Sequence, residues 1–522
     1  MASPELITIP RYGTDILVGF GRRVGVRVAA LAFCIGVGLG LDGESAEISA
    51  DEESPEIRAE WAAVLSRAAS DTNAPSAKRR DAFLFRPSAR QLRYQEAQLG
   101  AFIHFGMPTF ANGDMLSTPP ASQFAPNTLD IAQWIHTARS FGARHLILTA
   151  KHHDGFCLWP TATTDYSVKS SPWRQGKGDV LGDFMEACKR DLMKPGIYLS
   201  AGDLKFPCSA SPDPLGKRVL RGNREAYFPV FMQQLREVLT RYGELSVVWI
   251  DGAYDPFGWD VMDPSTGRVL GSEHAQAIQD LVRLLQPQAT LFSGFVPDVR
   301  WSGSEQGSAP YPLWNFVAPG EGLAKWLAPQ CEGWFVVEAN LPTRPDWFWT
   351  LGSDVRLLSV DRLWRAYLES IGRGANLLIN ITPDTAGNVP ELESDRLAAF
   401  GTEIRRRVGH AVAQVESPFH WTPGHAIEVN LGGERQVDYV SIEEDLSRGQ
   451  RVSGYELDLW RRGAWHLVAT GSTIGRRRIE ALGGVGATRL RLRITAAEAV
   501  PALRRISVYR TLELGKIPSA ID

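Results

Sequence analysis

The strongest constraint on the fold is the alternation of short apolar segments with amphipathic helical segments between residues 98 and 380. Runs typical of buried strands occupy residues 101–105, 145–149, 195–200, 245–250, 289–293 and 376–381. Helical periodicity separates most of them, over residues 131–141, 180–190, 226–242, 275–285 and 360–371. Such alternation predicts a parallel sheet covered by helices. This many units within about 300 residues favours a (β/α)8 TIM-like barrel over an open sheet.

A different pattern begins after about residue 410. Short segments of alternating hydrophobicity follow one another at residues 425–429, 455–459, 465–470, 489–494 and 505–510. Glycine pairs at 432–433 and 483–484 mark turns between them. The pattern predicts a C-terminal antiparallel β-sandwich. No exposed aromatic pair is identifiable in it, which favours a packing domain over a sugar-binding module.

The N-terminal region has the composition of an export signal. An apolar stretch at 24–41 follows Arg22 and Arg23, but Arg27 interrupts it and it is short for a membrane span. We therefore expect a periplasmic or secreted protein, with retention by a membrane anchor as the alternative. The predicted segments are a signal peptide or anchor at 1–45, a linker at 46–85 with a short helix at 56–68, the catalytic barrel at 86–405 and the sandwich at 406–522.

Composition narrows the function classes. The net charge of −3 gives no basic field for nucleic acid, and the five widely spaced cysteines form neither a disulfide framework nor a metal motif. We therefore expect no metal and no cofactor, and one disulfide among the four cysteines after Cys34 stays open. Sixteen tryptophans are many for this length. They indicate either carbohydrate binding, because a sugar ring has an apolar face, or core packing.

A carboxylate directly follows one predicted barrel strand. Asp251 comes immediately after the apolar run 245–250. In a (β/α)8 barrel the catalytic groups lie at the carboxyl ends of the strands. Burying a carboxylate there without a role is costly, although an aspartate capping a helix or turn remains the alternative.

Histidines follow two other predicted strands. His152 and His153 stand between Lys151 and Asp154 after the second run, and His104 lies in the first run. Metal binding is one interpretation, but adjacent histidines rarely chelate one ion and no carboxylate-rich motif accompanies them. Recognition of hydroxyl groups by neutral imidazoles fits better. The three histidines are therefore expected around one small polyhydroxylated ligand.

Cleavage of a glycosidic bond requires a second carboxyl group, at about 5–5.5 Å from the first in a retaining enzyme. The candidates are Glu305, Glu332 and Glu338. Glu305 lies in a Gly- and Ser-rich loop beside Arg300, whereas Glu338 stands in a regular apolar run that indicates a structural role. Functional residues concentrate in loops, so we favour Glu305.

At these residues the chain resembles glycoside hydrolase family 29, the α-L-fucosidases, and most closely the subfamily that acts on α-1,3/1,4 linkages. The resembling segments include FIHFGMPTF (102–110), LTAKHHDGFCLWPTATTDYSVKSSPW (148–173), YGELSVVWIDGA (242–253), LQPQATLFSGFVPDVRWSGSEQG (285–307), EANLPTRPDWFW (338–349) and SIGRGANLLINITPDTAGNVPE (370–391). They cover the predicted barrel from about 90 to 400. The resemblance implies a barrel followed by a β-sandwich.

The resemblance also implies roles for individual residues. Asp251 matches the family nucleophile, and Glu305 matches the acid/base of the Arg-Trp-x-Gly-x-Glu loop. The remaining matches are substrate-binding residues: His104, His152, His153, Tyr198, Trp249, Arg300 and, near the sugar methyl group, Trp347. The expected partner is a fucosylated oligosaccharide or glycoconjugate, with neither nucleic acid nor a stable membrane partner.

Two segments depart from the family pattern. Residues 200–205 read SAGDLK where the subfamily usually has Ser-Pro-Trp-Asp-Arg, and residues 110–117 lack the usual Glu-Trp-Gly run. Both departures are expected to reshape the pocket rim or the leaving-group side. The two carboxylates are present, so the predicted activity is hydrolysis of terminal α-linked fucose. The alternatives are a non-catalytic carbohydrate-binding protein on the same scaffold and a hydrolase of a fucose-like sugar such as an α-L-galactoside.

Overall fold

The computed structural model describes residues 85–206, 210–212, 218–220, 224–252, 272–293, 297–317, 333–419 and 426–516. The predicted signal or anchor segment, almost all of the linker, Glu332 and three cysteines (34, 208 and 331) lie outside these ranges. The other two cysteines, Cys157 and Cys188, are buried free thiols. Within the described ranges, no helix is both long and apolar enough to cross a membrane.

Eight parallel strands close into the predicted barrel. The strands up to residue 381 are β1 (Leu99–Ile103), β2 (His145–Lys151), β3 (Lys194–Ser200), β4 (Ala210–Pro212), β5 (Arg218–Leu220), β6 (Val247–Asp251), β7 (Thr290–Phe292), β8 (Val299–Trp301), β9 (Phe316–Val317), β10 (Gly333–Trp334), β11 (Val336–Pro342) and β12 (Asn376–Ile381). The barrel order is β1-β12-β11-β8-β7-β6-β3-β2, while β4–β5 and β9–β10 form separate two-stranded pairs. The barrel prediction is confirmed.

Helices follow the apolar periodicity of the sequence. They are α1 (Ala89–Ala97), α2 (Met107–Phe110), α3 (Ile131–Ser140), α4 (Val180–Arg190), α5 (Arg224–Arg241), α6 (Ser272–Leu285), α7 (Val360–Glu369) and α8 (Glu391–Val408). Side-chain caps fix several starts: Asp130, Asp179 and Ser359 each accept a hydrogen bond from a backbone amide in the first turn of α3, α4 and α7.

Two barrel strands, β8 and β11, were not predicted from the sequence. β8 has only three residues, and its connection to β7 is too short to hold a helix. β11 carries Glu338 and Asn340, both buried, inside an otherwise apolar strand. The barrel accepts the Glu338 carboxyl group because Tyr94 and Trp249 donate hydrogen bonds to it, which a pattern of hydrophobicity does not reveal.

The barrel interior is filled mainly by large apolar side chains, and its carboxyl end is polar. Phe102, Tyr198 and Trp249 belong to one interior cluster with residues of the neighbouring strands. Side chains alternate along a strand, so the next inward positions on β3 and β6 are Ser200 and Asp251. The polar positions therefore gather at one end of a packed core.

The C-terminal region forms the predicted antiparallel sandwich. Its strands are β13 (Ala411–Glu416), β14 (Ala426–Glu444), β15 (Val452–Arg461), β16 (Ala464–Gly471), β17 (Arg478–Ala497) and β18 (Leu503–Tyr509), in the order β13-β18-β14-β17-β15-β16. β14 and β17 are long, and β14 shifts register after Asn430 and after Val437. One apolar core collects side chains from both halves of the sheet, so the bent strands supply both layers.

The sandwich contains an aromatic pair that the sequence did not reveal. Trp460 on β15 lies opposite Trp465 on β16, with ring centroids 5.3 Å apart. Arg489 lies over both rings, and Arg491 lies over Trp465. Guanidinium groups thus cover these rings, and the interpretation of the sandwich as a packing domain stays a prediction.

The sandwich packs on the barrel through α7. Arg477 donates a hydrogen bond to the Tyr367 hydroxyl at 3.1 Å, and the Ile479 amide donates to the Gly372 carbonyl at 3.0 Å. Tyr439 of β14 lies edge-on to Trp364 with centroids 5.5 Å apart. These contacts place one face of α7, with Trp364 and Tyr367, against the sandwich.

Candidate active site

Asp251 is the last residue of β6, and its carboxylate is held by two partners. The Tyr198 hydroxyl donates a hydrogen bond to Oδ2 at 2.7 Å, and His153 Nε2 lies 3.5 Å from the same oxygen. The side chain keeps 22% of its surface exposed, so a ligand can reach it. An oriented, accessible carboxylate at the end of a barrel strand is suited to nucleophilic attack.

His152 and His153 follow β2 and are fixed against β3. Ser200 Oγ lies 2.6 Å from His153 Nδ1, and the Leu204 amide donates to the His153 carbonyl at 2.7 Å. The His152 ring stacks on Tyr198 at 5.5 Å. Burial, together with the neighbouring His153 and His104, holds the pKa of His152 well below its ordinary value. His152 is therefore neutral, as hydroxyl recognition requires.

His104 follows β1 and faces the same space. Its Nδ1 lies 2.7 Å from the Oδ1 atom of Asn380, and its ring centroid lies 4.9 Å from that of Trp347. Burial lowers the pKa of His104 to about 3. An imidazole with so low a pKa is neutral and can bind hydroxyl groups. Within the described ranges, no group of three metal-ligating side chains occurs.

The floor of the site is a stack of aromatic rings. Tyr198 stacks on Trp249 with centroids 5.3 Å apart, and Trp249 stacks on Phe292 at 3.8 Å. Trp249 Nε1 donates to the Glu338 carboxylate at 3.1 Å. Tyr198 and Trp249 therefore line the floor below Asp251, with Tyr198 in direct contact with it.

Glu305 lies in the loop after β8. Ser304 and Ser308, joined by a 2.9 Å hydrogen bond, brace this loop, and Glu305 is exposed at the rim. Partial burial of its carboxyl group and the negative charge of Asp251 raise its pKa, while a hydrogen bond from Trp347 lowers it. The two carboxyl groups therefore interact electrostatically, and the pKa of Glu305 lies above its ordinary value.

Comparison with known proteins identifies the family of the chain. The sequence model described as Alpha-L-fucosidase matches residues 118–406, more than half of the chain. The chain belongs to the alpha-L-fucosidase family. It is a glycoside hydrolase of that type.

Relatives of this fucosidase cover about four fifths of the chain. Alpha-L-fucosidase 1 of Arabidopsis thaliana is 29% identical and covers 81% of this chain and 87% of its own. A glycoside hydrolase 29 member from an unknown rumen bacterium is 31% identical, with a TM-score of 0.71, covering 83% and 79%. The fucosidase of Ruminococcus gnavus, solved in complex with fucose, is 26% identical with a TM-score of 0.68, covering 82% and 96%.

One predicted member of the fucosidase site does not join it. Val299 and Trp301 contribute to the barrel interior, so Arg300 between them projects outward. Its guanidinium donates to the Trp314 carbonyl at 2.9 Å. The prediction that Arg300 contacts the sugar is corrected to a structural role, because strand alternation places it on the outer face.

The altered segment 200–205 contacts the loop that carries His152 and His153. Asp203 is buried and accepts a hydrogen bond from Lys151 Nζ at 3.3 Å; the same ammonium donates to Tyr227 and Gln234. The Lys205 amide closes a turn on Asp203 Oδ1. This half of the departure therefore acts beneath the pocket. Sequence analysis missed the pair because Lys151 and Asp203 lie on different strand ends.

The other altered segment, 110–117, does lie against a pocket loop. Asn112 Oδ1 accepts the Leu351 amide at 2.9 Å, and the Cα of Gly113 faces Thr350 so closely that a Cβ atom would lie 2.3 Å from its methyl group. Trp347 belongs to that loop. The segment is thus in contact with the loop that carries Trp347, and its effect on the pocket rim stays a prediction.

Glu338, the rejected candidate, is fully buried beneath the site. The Tyr94 hydroxyl donates to it at 2.5 Å, and Trp249 donates from above. Burial raises its pKa to about 7. These contacts support the structural role that the sequence indicated, as the acceptor that fixes the pocket floor.

We expect Glu338→Gln to remove a pH-dependent loss of folding stability. Its turnover should stay within about tenfold of wild type. The folded pKa lies above the unfolded value, so the wild-type carboxyl group loses stability as pH rises from about 4.5 to 7. The unfolding free energy of wild type relative to the glutamine variant should fall by up to about 3 kcal/mol across that range. Denaturant titrations at several pH values measure it; a pH-independent difference would contradict the account.

Proposed function

We propose that this enzyme is a retaining exo-α-L-fucosidase in which Asp251 is the nucleophile and Glu305 the acid/base. The observation that carries the proposal is the carboxylate of Asp251, held on one oxygen by Tyr198 and His153 and electrostatically coupled to Glu305. Family membership supports the sugar, and the carboxylate pair supports double displacement.

The reaction would proceed in two balanced steps. Asp251 attacks the anomeric carbon as the bond to the leaving oxygen breaks, and Glu305 gives its proton to that oxygen. The resulting ester is neutral, so the repulsion that raises the pKa of Glu305 disappears. Glu305 then accepts a proton from water, which attacks the same carbon and releases fucose with its original configuration. Each carboxyl group thereby returns to its starting state.

The pocket would recognise the sugar through neutral side chains. His104 and His152 are buried and uncharged, so they can bind hydroxyl groups without competing with the charge of Asp251. Trp347 packs against His104 and lowers the pKa of Glu305, which makes it suited to contact the sugar near the acid/base. Aromatic and imidazole rings together would enclose one monosaccharide unit at the end of a glycan.

Asp251→Asn should lower turnover by about 1,000-fold or more, because the amide is a poor nucleophile. Azide should restore activity to Asp251→Gly and yield fucosyl azide of inverted configuration. Product analysis by NMR measures both outcomes. Asp165→Asn serves as the control, since that side chain is 94% exposed and remote from the carboxylate pair. Near-normal activity of Asp251→Asn would refute the nucleophile assignment.

Glu305→Gln should separate the two roles of the second carboxyl group. A fucoside with an activated aryl leaving group needs little protonation, so its first step should persist, whereas hydrolysis of a natural glycan should fall by about 100-fold or more. Burst kinetics with both substrates provide the measurement, and Glu338→Gln is the matched control. Equal losses on both substrates would argue against Glu305 as the acid.

We further propose α-1,3/1,4-linked fucose as the preferred substrate, supported by the resemblance of the 300–305 loop to that subfamily. Turnover of oligosaccharides bearing α-1,2, α-1,3, α-1,4 or α-1,6 fucose should be fastest for the α-1,3 and α-1,4 linkages. Faster turnover of the others would contradict the proposal.

We also propose export, on the basis of the N-terminal segment. Recovery of the protein from the periplasm or the medium tests this proposal.

A further inference from the structure

Asn380 contacts residues on two sides of the pocket, and the sequence analysis assigned it no role. It lies next to last in β12, is completely buried, and pairs in register with Phe102 of β1 and Pro342 of β11. Its Nδ2 donates to the Trp347 carbonyl at 2.6 Å, and its Oδ1 lies 2.7 Å from His104 Nδ1. One amide therefore contacts both a histidine and the tryptophan loop.

The orientation of this amide follows from its partners. A main-chain carbonyl only accepts hydrogen bonds, so the amide nitrogen of Asn380 must face Trp347. Its oxygen must then face His104, and a short contact with an oxygen requires a proton on His104 Nδ1. In a neutral imidazole the other nitrogen, Nε2, keeps its lone pair. No residue that the structure describes forms a hydrogen bond with this Nε2.

We infer that Asn380 is a positioning residue that fixes His104 as a hydrogen-bond acceptor toward the sugar and anchors the loop of Trp347. The inference rests on the proposed function, whose sugar-binding site it deepens. A hydroxyl group of the fucosyl unit donates to His104 Nε2. A sugar in which that hydroxyl is replaced by an acceptor-only substituent loses the contact.

His153 shows why the polarity of each imidazole matters. Its Nε2 faces the Asp251 carboxylate, which only accepts, so this nitrogen carries a proton. Its Nδ1 meets the Ser200 hydroxyl, which can donate. His153 is thus a donor toward the centre of the site, and His104 is an acceptor. Because His153 donates and His104 accepts, the sugar hydroxyl groups that contact the two rings must take opposite hydrogen-bond roles.

The second hydrogen bond of Asn380 extends its influence to the acid/base. The Trp347 side chain interacts with the Glu305 carboxyl group, and this interaction lowers the pKa of Glu305. If Asn380 no longer holds the Trp347 main chain, the indole is less well placed. The pKa of Glu305 then rises, and the basic limb of kcat/KM moves to higher pH. One side chain therefore couples sugar recognition to proton transfer.

Two substitutions separate these functions, and a third controls for packing. Asn380→Leu removes both hydrogen bonds, whereas Asn380→Asp keeps the acceptor for His104 but loses the donor to Trp347. Asn376→Leu is the matched control: Asn376 lies on the same strand and same face, is equally buried, and donates to the Tyr94 carbonyl at 2.8 Å.

The direct measurement is the protonation state of the imidazole nitrogens by ¹⁵N NMR on protein labelled at histidine, with His104 assigned by its loss in His104→Gln. We expect a proton on Nδ1 and a lone pair on Nε2 in wild type. The Nδ1 proton should persist in Asn380→Asp and Asn376→Leu, and Asn380→Leu should populate the other tautomer. A wild-type His104 protonated on Nε2 alone would overturn the inference.

Kinetics provide the second readout. Asn380→Leu should lower kcat/KM by about 10- to 100-fold, with a raised KM, since one hydrogen bond to the sugar is lost. Asn380→Asp should share the shift of the basic limb but show the smaller rise in KM. Equal pH shifts and KM changes in Asn376→Leu would reduce the effect to packing and overturn the inference. The NMR result does not depend on turnover, so an active Asp251→Asn would refute the proposed function alone.

Discussion

The column of stacked rings at the centre of the barrel supports the rest of the site. Phe292, Trp249, Tyr198 and His152 follow one another, each ring in contact with the next. Each such contact contributes about 0.5–1.5 kcal/mol beyond the area it buries. Within this column Tyr198 donates a hydrogen bond to Asp251, so the position of the carboxylate depends on packing that reaches the middle of the barrel.

That packed column also determines the electrostatics at the site. Apolar and aromatic surroundings disfavour charge, which keeps His104 and His152 neutral and raises the pKa values of Glu338 and Glu305. The Tyr198 hydroxyl and His153 Nε2 both lie close to Oδ2 of Asp251. The site thereby combines neutral imidazoles, which can bind hydroxyl groups, with a carboxylate that Tyr198 and His153 hold in position.

The sequence predicted the barrel, the sandwich and the residues at strand ends, because hydrophobic period and chain order determine those features. Asp251, His104 and the His152–His153 pair were therefore found. What it could not predict depends on neighbours distant in the chain: the outward direction of Arg300, which follows from strand β8, and the support given by Asp203 to Lys151. A three-residue strand has too little periodicity to show which way its side chains point.

Asn380 illustrates the same limit at the level of chemistry. In the sequence it is an asparagine near the end of an apolar run, where a turn or capping role would be equally reasonable. Its role becomes visible only when β12 pairs with β1 and the Trp347 carbonyl accepts a hydrogen bond from its amide. A carbonyl on one side then dictates the proton on a histidine on the other. The directions of these hydrogen bonds thus depend on the closed barrel, since His104, Trp347 and Asn380 lie on three different segments of the chain.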